Sequence, residues 1–319
     1  MKISVVIPMF NEARHIGRTL DGIRRAAEFA RLDCELWVAD NGSADAGPCI
    51  AAEHGARVLH YPGISIGALR NRGVEASSGD WLAFVDADIE TPDDWLSIWK
   101  NVHAAGRADV LALECDTPAG APWFARVWQH RNLAANQGER PRDWLTTQNL
   151  CMARSWFERV GGFDERLRTG EDKEFTLRLR RAGARLLSLS APTVLHWGYE
   201  RSWREWLGKE YWRQSGHLQW IENDARLRLL RFPLFCLGAG LCSLFALAML
   251  LFARPLPAVL ALFPGLLAAF ALSLRQSLPY RQPLFTLQLA LLHWLRLHAG
   301  AAALWAGFCG RTAGRPKRG

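Results

Sequence analysis

An α/β architecture, a mostly parallel sheet with helices on both faces, is predicted for residues 1–225, and a membrane-associated helical region for residues 226–319. Three observations predict it. Short apolar runs such as Ile3-Ser4-Val5-Val6-Ile7, Glu35-Leu36-Trp37-Val38-Ala39 and Trp81-Leu82-Ala83-Phe84-Val85 alternate with amphipathic stretches of helical length. Strands this apolar are buried on both faces, as in parallel sheets covered by helices. Later, Phe232–Ala253 and Pro255–Leu274 are 22 and 20 residues long without a charge. Finally, charge is segregated: no Asp or Glu follows Asp224, while the same stretch holds eleven Arg and Lys.

The elements follow in order: strand 3–8, helix 13–31, strand 35–39, helix 46–54, strand 57–60, helix 65–77, strand 81–85, helix 92–104 and strand 108–113. The first run is broken by Pro8 and followed by Glu12 with no small-residue cleavage site, so a buried strand is expected there and not an export signal. Residues 117–145 are polar, contain Pro and Gly, and carry Trp123, Trp128 and Trp144, which suits a substrate-covering segment or a long connection. An Arg-rich helix is expected over 171–183, and one or two short strands over 185–195.

Each uncharged run is about as long as the ~30 Å hydrocarbon core of a bilayer. Only Arg254 separates them, so they read as a tight hairpin over 232–274. Arg226, Arg228 and Arg231 before it and Arg275 and Arg281 after it place both ends in the cytoplasm by the positive-inside rule. A third apolar stretch, 284–308, carries Thr286, His293, Arg296 and Gly300 on one narrow face, which suits an interfacial helix better than a third span. Trp203, Trp206, Tyr211, Trp212 and Trp220 lie among Arg201, Arg204, Lys209 and Arg213. That mixture suits either a packed helix with a solvated face or a helix at headgroup level.

The net charge of +8 does not indicate a nucleic-acid partner. The first 224 residues hold 28 basic and 31 acidic groups, so the basic excess belongs to the apolar tail. Seven cysteines stand at 34, 49, 115, 151, 236, 242 and 309 with no Cys-x-x-Cys pair, which points to reduced, mostly buried thiols rather than a disulfide framework or zinc site.

Ligands of open α/β sheets bind beyond the carboxyl ends of the strands. There the sequence places Asn11-Glu12 after the first strand, Asp40-Asn41-Gly42-Ser43-Ala44-Asp45 after the second and Asp86-Ala87-Asp88 after the fourth. Clustered carboxylates repel unless a cation or donor groups hold them, so a divalent metal is one physical reading. Helix capping, plausible for Asp45 and Thr91, is the other. Hard ions, Mg²⁺ or Mn²⁺, fit two carboxylates that share their shell with substrate phosphates.

Five segments then stand in a telling order: Val5-Val6-Ile7-Pro8-Met9-Phe10-Asn11-Glu12; Val38-Ala39-Asp40-Asn41-Gly42-Ser43-Ala44-Asp45; Gly67-Ala68-Leu69-Arg70-Asn71-Arg72-Gly73; Phe84-Val85-Asp86-Ala87-Asp88; and Gly161-Gly162-Phe163-Asp164 with Gly170-Glu171-Asp172. Together they resemble the family 2 glycosyltransferases over roughly residues 1–220. The resemblance implies a GT-A nucleotide-diphospho-sugar transferase fold and inverting transfer of a sugar from a nucleoside-diphosphate donor. It implies that Pro8, Asn11 and Glu12 border the nucleoside, Asp40 contacts the base, Arg70 contacts the nucleotide and Asp86 faces the ribose or diphosphate. Asp88 binds the metal on this reading, joined by His196; Asp172 is the general base, and Glu171 and Asp164 support the acceptor site. Asp-Asn-Gly-Ser stands where the family often shows Asp-Asp-Gly-Ser, and the Gln-x-x-Arg-Trp motif of the polymer-extruding branch does not follow Asp172.

Physical chemistry supports such roles. The leaving diphosphate needs its charge neutralised, and the attacking hydroxyl needs a carboxylate within about 3 Å. For Glu171 and Asp172 the competing reading is two carboxylates favoured at a helix N-terminus. The expectation is thus a metal-dependent enzyme on the cytoplasmic membrane, its catalytic domain facing the cytoplasm. Its partners are a nucleoside-diphosphate sugar, a lipid-linked or envelope glycan acceptor, and membrane lipids. A polyprenyl-phosphate glycosyltransferase and a non-catalytic membrane scaffold retaining the fold are the alternatives. A nicotinamide dehydrogenase is disfavoured, because Pro-Met-Phe-Asn-Glu stands where Gly-x-Gly-x-x-Gly belongs.

Overall fold

Each of the three apolar runs is a strand in the computed structural model, which describes residues 1–135, 138–215, 227–278, 280 and 282–309. Strands β1 (Lys2–Met9), β2 (Asp33–Asp40), β3 (Arg57–His60) and β4 (Trp81–Val85) pair in parallel in the order β3-β2-β1-β4. Helices α1 (Ile16–Ala30), α2 (Gly47–Glu53) and α3 (Ile66–Ala76) connect them. Side chains alternate across β1: Ile3, Val5 and Ile7 join the core beneath α1, while Val6 joins the opposite core with Phe84, Phe163 and Phe175. Helix α3 lies so close to β1 that a Cβ on Gly73 would stand 2.3 Å from Val6 Cγ1.

Beyond β4 the sheet is mixed. Strand β8 (Asn149–Ala153) inserts antiparallel between β4 and β6 (Val110–Asp116), and β9 (Leu186–His196) runs parallel to β6. Strands β5 (Ile89–Glu90) and β7 (Glu139–Pro141) pair antiparallel with β9. The expected parallel order therefore holds on the β1 side, and antiparallel pairs complete the sheet. Neither β8 nor α6 (Arg154–Val160), which follows it, stood out in the sequence. Buried Asn149 explains how β8 is locked: its Nδ2 donates to the Leu113 carbonyl at 2.9 Å and its Oδ1 accepts from Leu113 N at 2.6 Å, where β6 shifts register. Helices α4 (Trp95–Ala104) and α7 (Glu171–Arg181) fall where expected. Thr91 does not cap α4; its buried hydroxyl has no hydrogen-bond partner, and Asp94 holds the cap position.

The chain separates into two units, residues 1–118 with 136–199, and residues 119–135 with 200–319. The division thus falls after residue 199 rather than 225, and the tryptophan-bearing segment contributes a helix, α5 (Trp123–Ala135), to the second unit. That unit also holds α8 (Trp203–Ser215), α9 (Leu227–Leu251), α10 (Pro255–Ser277) and α11 (Pro283–Phe308). Trp220 lies outside the described residues; Trp206 is buried, and Trp203 is partly exposed.

Two helical stretches, Phe232–Leu251 and Pro255–Ser277, are long and apolar enough to cross a membrane. Only 17% of the most apolar window in each is buried, unlike the core helix of a soluble protein. Helix α11 corrects one expectation. Its narrow polar face points inward: His293 is 1% exposed, and a Cβ on Gly300 would meet Cys236 Sγ at 2.6 Å. An interfacial helix keeps that face toward water; this one packs it against other helices of the unit. All seven cysteines are free; Cys115, Cys151 and Cys236 are buried, but Cys49 and Cys309 are exposed, so the thiols are less buried than expected.

Candidate active site

Parallel strands deliver their last residues to one edge, and there the first two loops are clipped together. Asn11, at φ 55°, accepts from Ala44 N through its side chain at 2.8 Å, while its own N donates to Ser43 Oγ at 2.8 Å. Asp45 accepts from both Gly47 N and Ala13 N at 2.9 Å, tying the start of α2 to residue 13, although the cap position of α2 itself is Ala46 and not Asp45. Pro8, buried near the end of β1, is in register with Ala39, and Glu12 is buried a few residues on.

The Asp40 carboxylate lies at the centre of this edge and is fully buried. It accepts from Gly42 N at 3.1 Å, from Ser43 N and Oγ, and faces His60 Nδ1 at 3.0 Å. Asp40 and His60 are register partners of adjacent parallel strands. The structure thus gives Asp40 the work of shaping the loop, and His60 is a site neighbour that the sequence reading missed. Its position at the end of a strand paired with β2 was the available signal. Asn41 continues the clip, exchanging two hydrogen bonds of 3.2 Å with Ile64.

Arg70 organises the second half of the site. Helix α3, capped by Ser65, carries it into the interior, where it is 2% exposed. Its Nη1 donates to Glu171 Oε1 at 2.8 Å and its Nη2 to Asp86 Oδ1 at 3.0 Å. Burial works against its charge, but the two carboxylates outweigh that and raise its pKa above the ordinary guanidinium value. One cation therefore joins the end of β4 to the start of α7.

Asp172 stands next to Glu171 in the first turn of α7, which begins at Gly170 (φ 77°). Burial, then the neighbouring Glu171 charge, pushes its pKa up to about 7, although Lys173 N donates to its Oδ1 at 2.7 Å. A helix N-terminus alone lowers a carboxyl pKa; here desolvation and like charge win. The result is a carboxylate poised near neutrality, as a general base requires. Lys173 Nζ lies 5.7 Å over the ring of Trp144, which is 38% exposed.

Asn71, another missed residue, fixes the loop before α7. Its amide exchanges hydrogen bonds with the Phe163 backbone at 2.9 and 3.0 Å and donates to Glu165 at 2.9 Å. Close approach is essential here: a Cβ on Gly67 would stand 3.2 Å from Phe163 Cβ and 3.3 Å from the Asp164 carbonyl. Asp164 itself accepts from Arg166 Nε and Nη2 at 2.9 and 2.8 Å, and these bonds hold its pKa below the usual carboxylate range.

Asp88 and His196 meet because β5 and β9 pair antiparallel with Ile89 opposite His196. His196 Nε2 lies 3.3 Å from Asp88 Oδ2, and both residues are buried. No group of three or more His, Cys, Asp or Glu that could hold a metal occurs among the described residues. A carboxylate and an imidazole nonetheless fit Mg²⁺ or Mn²⁺ where phosphate oxygens and water complete the shell, the usual arrangement for these ions beside nucleotides.

Residues 4–164, half of the chain, match the glycosyl transferase family 2 domain. The chain belongs to glycosyl transferase family 2. Among family relatives, glycosyltransferase AglE of Haloferax volcanii is 29% identical over 238 residues, covering 71% of this chain and 76% of AglE. Succinoglycan biosynthesis protein ExoA of Rhizobium meliloti is 28% identical over 208 residues, covering 60% of this chain and 62% of ExoA. Among solved structures, the mannosyltransferase PcManGT of Pyrobaculum calidifontis, in complex with GDP-Man and Mn²⁺, superposes with a TM-score of 0.60 at 17% identity, covering 95% and 87% of the two chains. That likeness establishes the GT-A-like fold.

Proposed function

We propose that this family 2 enzyme is a metal-dependent inverting glycosyltransferase. On this reading it moves a sugar from a nucleoside-diphosphate donor to a lipid-linked or cell-envelope glycan acceptor at the cytoplasmic membrane face. The observation that carries the reading is the convergence of Asp86, Glu171 and Asp172 around Arg70, with Asp172 held near neutrality.

The chain's own residues divide the work. The clipped loops of Asn11, Glu12, Asp40 and Asn41 with Pro8 present a rigid border for the nucleoside, and Asp86 faces the ribose or diphosphate. Asp88 and His196 would hold Mg²⁺ or Mn²⁺, which supplies Lewis-acid neutralisation of the leaving diphosphate when bound. Asp172 accepts the proton of the acceptor hydroxyl as that oxygen attacks the anomeric carbon from the side opposite the departing diphosphate. Arg70 holds Glu171 and the start of α7 in place, so that Asp172 is positioned before substrate arrives. Asp164, tied to Arg166, holds the loop that borders the acceptor. GDP-Man and Mn²⁺ in PcManGT support the donor and metal classes, the name of ExoA, a succinoglycan biosynthesis protein, fits a glycan acceptor, and the two apolar helices support a membrane location.

Calorimetry tests the donor half. Nucleoside diphosphates titrated with and without Mn²⁺ are expected to bind the full chain, with binding weakened at least tenfold when Mn²⁺ is omitted. No heat with any nucleoside diphosphate, with or without Mn²⁺, overturns the reading.

A further inference from the structure

Asp88 and His196 owe their approach to side chains outside the pair. Strand β5 is only two residues long, with Ile89 opposite His196 and Glu90 opposite Leu195. One further bond extends the pairing: Trp197 N donates to the Asp88 carbonyl at 2.9 Å. Asp88 therefore stands opposite Trp197 and not opposite His196. Successive side chains of a strand alternate between faces, so a regular ladder would send the Asp88 carboxylate and the His196 ring to opposite sides. They meet at 3.3 Å because Asp88 lies in a turn, closed by Ile89 N donating to the Asp86 carbonyl at 3.1 Å. How that turn is held decides whether the two side chains converge.

Helix α1 holds one side of it. Thr19 Oγ1 donates to the Ala87 carbonyl at 2.9 Å, and a Cβ on Gly22 would stand 3.3 Å from Thr91 N. Trp197 holds the other side. Its Nε1 donates to Glu90 Oε2 at 2.6 Å, and the Arg18 guanidinium of α1 lies over its ring with Cζ 3.7 Å from the centre. Arg18 and Arg25, two turns apart on α1, each come within 3.9 Å of the Glu90 carboxylate. An indole supplies both the flat face for the guanidinium and the N–H for the carboxylate; phenylalanine would keep the face and lose the donor.

We infer that Trp197 is a positioning residue for the divalent cation. Locked by Glu90 and Arg18, it fixes the pairing of β5 with β9 and the backbone of Asp88, so that Asp88 and His196 offer Mg²⁺ or Mn²⁺ a preformed pair. The inference rests on the metal role proposed above for those two residues. Groups just outside a metal's ligands set ligand orientation, and losing one costs about 10- to 100-fold in metal affinity. Trp197, Glu90 and Arg18 all keep some exposure to solvent, so the clamp orders the turn more than it stabilises the whole fold.

The test uses the full chain in detergent micelles and reads Mn²⁺ binding from the free-ion EPR signal, with UDP and, separately, GDP present. Asp88→Ala marks loss of the site. Trp197→Phe is expected to weaken Mn²⁺ binding about tenfold, with Tm and metal-free nucleotide binding close to wild type. Glu90→Ala breaks the same bond from its other end and is expected to match it. Glu90→Gln, whose amide oxygen still accepts from the indole, is expected to keep Mn²⁺ affinity within about threefold of wild type. Unchanged Mn²⁺ affinity in Trp197→Phe and Glu90→Ala, an equal loss in Glu90→Gln, a loss that only follows Tm, or failure of both Trp197→Phe and Glu90→Ala to fold overturns the inference. If those two variants bind Mn²⁺ as wild type does while Asp88→Ala does not, this inference alone fails. If wild type binds no Mn²⁺ with either nucleotide, or Asp88→Ala binds it equally well, the metal-dependent reading fails and takes the inference with it.

Discussion

Arg70 Nη1 stands 2.8 Å from Glu171 Oε1, a bond between residues 101 positions apart in the chain. Through the same guanidinium, Asp86 at the end of β4 is tied to the helix that bears Asp172. The arrangement places Asp86, the carboxylate proposed to face the donor, and the proposed base under one constraint.

Removing the base should cost rate and spare binding. Asp172→Asn is expected to lower kcat by about 10²- to 10⁴-fold, the usual worth of general-base catalysis, with nucleotide affinity within threefold of wild type. Steady-state transfer and nucleotide calorimetry check this. A full rate in the variant would instead favour a phosphate-oxygen acceptor, which needs little deprotonation.

The pH profile carries the same carboxylate. With its folded pKa raised to about 7, Asp172 is protonated below neutrality, so kcat is expected to fall as pH drops through 7. Glu171→Gln removes a like charge that raises this pKa, so the acid limb should move to lower pH. A limb unmoved in Glu171→Gln would show that another group titrates.

Arg70→Met leaves Asp86 and Glu171 without their shared cation. Breaking a buried pair from one side costs about 3–5 kcal/mol, so a clear fall in Tm is expected, with loss of activity. Arg70→Lys should recover part of the stability but not both forked hydrogen bonds.

Gly73→Ala tests the packing beneath the site. The new Cβ would stand 2.3 Å from Val6 Cγ1, so α3 must shift outward, at about 1–3 kcal/mol for overpacking. Arg70 rides on that helix, so transfer should weaken along with thermal stability.

Much of this was legible because apolar runs and Asp-bearing strand ends are local signals. β1, β2, β3 and β4 announce themselves by composition, and topology then brings residues 11, 40 and 86 to the same end of parallel neighbours. Strand β8 was not legible, since five residues between a polar loop and a helix carry too little periodicity, and its place between β4 and β6 is decided by tertiary pairing. Asn71 and His60 were missed because their value lies in partners far away in sequence, Phe163 and Asp40. The face of α11 was read with the wrong orientation for a similar reason: a stripe of His293, Arg296 and Gly300 fits water or a buried acid equally well until Glu210 is in view.

Anomalous diffraction from crystals grown with a nucleoside diphosphate and Mn²⁺ tests the central claim most directly. The account predicts one manganese peak within coordination distance of Asp88, the diphosphate beside Asp86, and the Asp172 carboxylate facing the sugar position across an open gap. Manganese and nucleotide bound away from Asp88, or Asp172 directed away from the donor, would contradict it.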